Sequence, residues 1–180
     1  MASVTGGDKL NKKLGYITAN LGKASVVKVG FLEGSQERDG TPSPLVGFVQ
    51  EFGAPKKGIP PRPYFRTMIS QHSGEWPAEL IALMKANDYD AAKSLDQLGQ
   101  EIASELKQSI IDMNDPPLSP VTVMLRGMRT RKQFRDLPFW ERFAIAKDRV
   151  AKGKSNYGAS TKPLIDTGAL YENVDYVVKD

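Results

Sequence analysis

Apolar residues along the chain follow two periods, and the change between them marks its elements. From Asp8, the residues Leu10, Leu14, Ile17 and Leu21 recur at helical spacing, with Gly22 placed as a stop. From Ser25 to Glu33 the period becomes two: Val27, Val29 and Phe31 share one side and Lys28 takes the other, which predicts a strand. Gly34 to Pro44 has the turn chemistry of a hairpin tip or loop. Leu45, Val46, Val49 and Phe52 then predict a short buried helix with Gln50 and Glu51 on its polar face and Gly53 as its end. Pro60, Pro61 and Pro63 impose an extended crossing, after which Tyr64, Phe65, Met68 and Ile69 open another short helix.

Trp76, Leu80, Leu83 and Met84 continue in helical register up to a break at Asn87-Asp88, expected to cap the next helix. The longest helix is predicted over about 88–113, on the stripe Leu95, Leu98, Ile102, Leu106, Ile110 and Met113. Gly99 inside that stripe implies close approach of another backbone. Asp115-Pro116-Pro117-Leu118-Ser119-Pro120 stops the helix. Beyond it, residues 121–161 read as a protruding basic and aromatic arm within a single domain spanning 1–180. One amphipathic helix is expected on it, starting near Asp136-Leu137-Pro138, with Phe139, Phe143, Ala146 and Val150 on its apolar face. Residues 154–161 have the composition of a flexible link. Asp166 or Thr167 is placed to cap a short helix, and 173–178 reads as a last strand able to pair with Val26 to Phe31. The fold class is therefore α+β: a small, mostly antiparallel sheet packed by several helices, one of them long, with an extended helical arm.

Composition narrows the chemistry. The chain has 180 residues, no cysteine and a single histidine, so disulfides, thiolate catalysis and zinc-thiolate sites are excluded together. His72 has no second ligand nearby in sequence and reads as a surface or helix-end residue. No apolar run approaches bilayer length, and the first residues lack the order of a signal peptide, so neither a membrane association nor secretion is expected. The carboxylates Glu51, Glu101 and Asp166 are scattered. Glu101 and Glu105 share a helix face but read as a solvated surface, and the Asp166-Thr167-Gly168 triplet lacks the strand and second aspartate of an aspartic protease. No catalytic residue, cofactor, metal or small-molecule substrate is expected. The net charge of +4 is concentrated in Arg126, Arg129, Arg131, Lys132 and Arg135, a patch open to phosphates, to an acidic protein face or to solvent. Arg62 and Arg66 flank the aromatic pair Tyr64-Phe65, either packing their stems on the rings or pairing with a carboxylate of another subunit.

Three motifs stand in order: V-G-F-L-E-G, then E-F-G-A with I-P-P-R-P-Y-F-R; P-P-L-S-P-V-T; and K-P-L-I-D-T-G-A-L before a closing Y-V-V. Together, from about residue 25 to the end, they resemble the neck and tail-completion proteins of tailed bacteriophages, the family typified by the tenth gene product of phage HK97. The resemblance implies a structural virion protein without enzymatic activity, assembled in the host cytoplasm and placed at the tail or the head-tail junction. It would work as a ring of copies, expected to be a hexamer, against other tail or connector proteins, with DNA in the channel as a further contact. Met128 to Tyr157 departs from the family pattern, being longer and more aromatic. Subunit-interface candidates are Arg62, Arg66, Phe139, Trp140, Phe143 and Val150; the helix carrying the last four is expected to dock on a neighbouring copy, on its own body or on another tail protein. The alternative is a nucleic-acid-binding adaptor using the cluster from Arg126 to Arg135.

Overall fold

Valine alternation at both ends of the chain brings its two strands together. The computed structural model describes residues 7–179. In chain order the elements are α1 (Gly7–Leu21), β1 (Val26–Phe31), α2 (Ser43–Phe52), α3 (Tyr64–His72), α4 (Trp76–Ala86) and α5 (Ala91–Asp112), followed by α6 (Pro120–Arg129), α7 (Lys132–Arg135), α8 (Phe139–Ala151), α9 (Ala169–Glu172) and β2 (Val174–Lys179). A 3-10 turn occupies Pro55–Lys57. The fold is α+β, with a two-stranded antiparallel sheet and one long helix. The chain divides into two compact units: one takes residues up to 35, 64–109 and from 173 on, and the other takes 36–63 and 110–172.

In the first unit, β1 and β2 pair from Val26↔Lys179 to Phe31↔Val174, so Val27 faces Val178 and Val29 faces Tyr176. Helix α5 lies against this sheet, and Gly99 is where the two meet. A Cβ at Gly99 would sit 2.5 Å from the Tyr176 ring and 2.7 Å from a Val27 methyl. A close approach is therefore present at this glycine, but it is made by side chains of the sheet and not by the backbone expected there. Tyr176 also donates its hydroxyl to Asp96 Oδ1 at 3.0 Å, three residues before Gly99 on α5. Leu95, Leu98, Ile102 and Leu106 are buried along the helix, with Tyr64 and Met68 of α3 in the same core.

Two expectations in this unit are corrected. Asp88 does not cap α5, because Asp88 and Tyr89 take left-handed φ values of 52° and 62° and turn the chain. Asp90 caps it instead, accepting from the Lys93 amide at 3.2 Å and pairing with Lys23 at 2.6 Å. The apolar stripe of α1 is not in the core: Leu10, Leu14 and Leu21 are exposed, and the buried residue is Asn20, which donates to the Asp88 carbonyl.

In the second unit the corner expected at Gly53 is present. Gly53 ends α2 at φ 76°, its amide reaching the Val49 carbonyl at 2.8 Å. A Cβ there would lie 2.8 Å from the Pro61 nitrogen and 2.9 Å from the Ile59 oxygen, so only glycine fits the fold-back. The sidedness of α2, however, follows the expected one only in part, with Val46 and Val49 half-buried. Ser43, Gly47 and Glu51 are buried, whereas Leu45, Phe48 and Phe52 are 54%, 60% and 50% exposed.

The expectation of one helix between 121 and 161 is also corrected, since α6, α7 and α8 all lie there. Ser119 caps α6 by accepting from the Thr122 amide at 3.1 Å, and Pro120 occupies its first turn. The proline-rich stop of α5 is thus also a helix start. Met124, Met128, Phe134 and Ala146 form a buried cluster, flanked by Leu125, Ile145, Val150 and Tyr157. The stretch expected to be a flexible link is held on α6: a Cβ at Gly127 would fall 2.0 Å from the Asn156 carbonyl oxygen.

Candidate functional site

The basic cluster is where the sequence places candidate chemistry, and the structure spends most of it internally. Arg126 points from α6 at the loop before α9. Its guanidinium donates to the carbonyls of Lys162 at 2.6 Å, Pro163 at 2.9 Å, Ser160 at 3.2 Å and Ile165 at 3.3 Å. Its Nε lies 3.4 Å from Asp166, and only 11% of the side chain is exposed. Burial lowers its pKa first of all, Asp166 opposing, yet a guanidinium so placed keeps its proton. One turn on, Arg129 pairs with the same Asp166.

The K-P-L-I-D-T-G segment is thereby a loop stapled to α6 by two arginines. Asp166 is an ion-pair partner, and Thr167 accepts from the Ala169 amide at 3.2 Å in the turn that leads into α9. Arg131 is also engaged. Its guanidinium lies 5.1 Å from the centre of the Tyr157 ring, and that of Arg149 from α8 lies 4.8 Å from it. Lys132 and Arg135 remain exposed.

Arg62 is 4% exposed. It donates from Nε to the Pro116 carbonyl at 3.1 Å and from a terminal nitrogen to Gln50 Oε1 at 3.3 Å, and burial lowers its pKa. It braces the proline corner from inside, which is neither aromatic packing nor a surface offered to another subunit. Arg66, in the other unit, is exposed.

Between these arginines of the second unit lies an open groove of about 570 Å³. Its apolar walls include Ile59, Pro60, Leu118, Leu125 and Phe139, and its charged side chains are Arg62, Arg126, Arg129 and Arg142 against the single carboxylate of Asp166. Arg142 has a buried Nε without a hydrogen-bond partner. Sequence reasoning missed this residue, because nothing local separates it from an exposed helix arginine.

Helix α8 carries the largest exposed aromatic side chains. Phe139, Trp140 and Phe143 are 65%, 68% and 42% exposed, and the two phenylalanine rings stand 6.1 Å apart. The expected single apolar face is therefore split: Ala146 and Val150 pack on the unit's own cluster, and the aromatics at the start of the helix point outward. Val150 belongs to that core and leaves the interface candidates. Exposed Leu45, Phe48 and Phe52 on α2 add a second apolar face in the same unit, with the Phe48 and Phe52 ring centres 4.7 Å apart.

His72 pairs with Glu105 through Nδ1 at 3.1 Å, and Glu105 also accepts from the Trp76 indole at 3.0 Å. Among the described residues no group of three or more His, Cys, Asp or Glu could hold a metal ion, and no helix is long and apolar enough to cross a membrane. Compared with family models, curated proteins and solved structures, the chain gives no match.

Proposed function

We propose that this protein is a structural subunit of a tailed-bacteriophage virion, completing the tail or joining it to the head as a ring of copies. The observation that carries the proposal is the aromatic start of α8, where Phe139, Trp140 and Phe143 stand 65%, 68% and 42% exposed. Full burial of such side chains is worth roughly 1.5–3 kcal/mol each, so covering the exposed fractions contributes about 3 to 5 kcal/mol. A surface of that kind is favoured when another protein covers it. The ordered motifs agree with this reading, and two of them have a structural use here: the Gly53 corner and the loop stapled by Arg126 and Arg129. The role is scaffolding, with no reaction assigned to any residue.

Native mass spectrometry of the purified chain tests the assembly. We expect a closed oligomer whose formation is lost when Phe139, Trp140 and Phe143 are all replaced by Ser, while circular dichroism shows unchanged helix content. Assembly unaffected by the triple replacement would remove the aromatic surface from the interface. Unfolding of the variant would mean that the aromatics cap their own core.

A further inference from the structure

The first unit carries the electrostatic opposite of the arginine groove. Glu75 precedes α4, Glu79 lies on it, and Glu101 and Glu105 stand one turn apart on α5. Loss of water at Glu79 raises its pKa, and Glu101, Glu105 and Glu75 push the same way, with only His72 opposing. Glu79 Oε2 is buried and has no hydrogen-bond partner. Among the described residues two other buried side-chain atoms share that state: Arg149 Nε, whose guanidinium lies over the Tyr157 ring, and Arg142 Nε in the groove. The carboxylates and the arginine-lined groove thus sit in different units of the chain.

We propose that copies associate head to tail, the Glu75-Glu79-Glu101 face of one copy docking on the Arg142 side of the groove of the next. The inference rests on the ring reading and names its polar contact. Because the two surfaces differ, the association is heterologous: it repeats from copy to copy and closes into a ring where the rotation allows. Phe139 lines the same groove, so exposed aromatic surface adjoins the charged contact and is covered with it. A second copy is favoured over nucleic acid as the occupant. The groove is concave, Arg126 is spent on carbonyls and Arg129 on Asp166, and the one remaining arginine, Arg142, is reached more readily by a single side chain than by a duplex backbone.

The test is a charge exchange read by sedimentation. Arg142→Glu and Glu79→Arg should each weaken self-association at least about tenfold, and the two together should return it to within about threefold of the native chain. Because the sequence has no cysteine, a second measurement does not depend on those variants folding. Glu75→Cys in one population and Thr122→Cys in another, mixed and oxidised, should give a mixed disulfide dimer in preference to either homodimer. If the native chain assembles but neither reversal weakens it, or the double variant is no better than the singles, the inference falls and the ring reading stands. A native chain that stays monomeric at every concentration, together with no mixed disulfide between the two cysteine variants, overturns both. A single-stranded oligonucleotide that binds the groove, loses binding with Arg142→Glu and blocks the mixed disulfide would assign the groove to phosphate and overturn the inference.

Discussion

Replacing Arg126 by Met separates a structural arginine from a surface cation. Met keeps most of the stem's volume and removes all five donors, leaving the carbonyls of Ser160, Lys162, Pro163 and Ile165 without the partner they have at 2.6–3.3 Å. Hydrogen bonds to a charged group contribute about 1.5–3 kcal/mol each, but four to one guanidinium are not additive, and water can reach part of the opened loop. Asp166 also loses one of its two cations and keeps Arg129. The expected cost is about 3 kcal/mol, with about 5 kcal/mol as the upper bound for breaking a buried pair. Urea unfolding followed at Trp140, together with hydrogen exchange over residues 160–168, measures it. Protection in that segment should collapse along with the second unit's stability. A loss below about 1 kcal/mol with unchanged exchange would refute the staple and return Arg126 to the surface patch.

Further outcomes rest on the same geometry. Gly99→Ala puts a methyl 2.5 Å from the Tyr176 ring and should destabilise the first unit by about 1–3 kcal/mol in thermal melts, whereas Gly74→Ala, with open space around it, should not. Glu79 has a raised pKa, so its ionisation costs the folded state at neutral pH. Glu79→Gln should therefore stabilise the isolated chain there by no more than about 1 kcal/mol, and the gain should vanish below the ordinary carboxylate pKa, where both states are protonated. Lys132→Ala with Arg135→Ala should change stability by less than about 0.5 kcal/mol. Any oligonucleotide binding by these two should show a log-log salt slope no steeper than about −2 by fluorescence anisotropy.

The features legible in the sequence are those that short-range chemistry decides. The period-two runs gave both strands and their pairing, the stripe from Leu95 to Met113 gave α5, and Gly53 and Gly99 announced a turn and a close approach that only glycine permits. Helix α6 had a readable stripe, Val121, Met124, Leu125 and Met128 at helical spacing, but the basic residues between them drew the reading to a solvated arm, and its Ser119-Pro120 start looked only like the end of the preceding helix. The sidedness of α1, and in part that of α2, failed for a different reason. Hydropathy says which face wants burial, but not whether the chain itself buries it, and Leu10, Leu14, Leu45, Phe48 and Phe52 remain outside. The fate of the basic cluster was illegible because the partners of Arg126 lie 34 to 40 residues further on and are mostly backbone carbonyls, which carry no signature in side-chain identity.

Quantitative mass spectrometry of purified virions, made by a phage that carries this chain's gene, tests the central claim most directly. The account predicts the chain in every particle at a fixed low copy number, the small ring that the resemblance implies. Deletion of the gene should leave filled heads and tails that fail to join or to end properly. Infectious particles of normal form that contain none of the chain would contradict it.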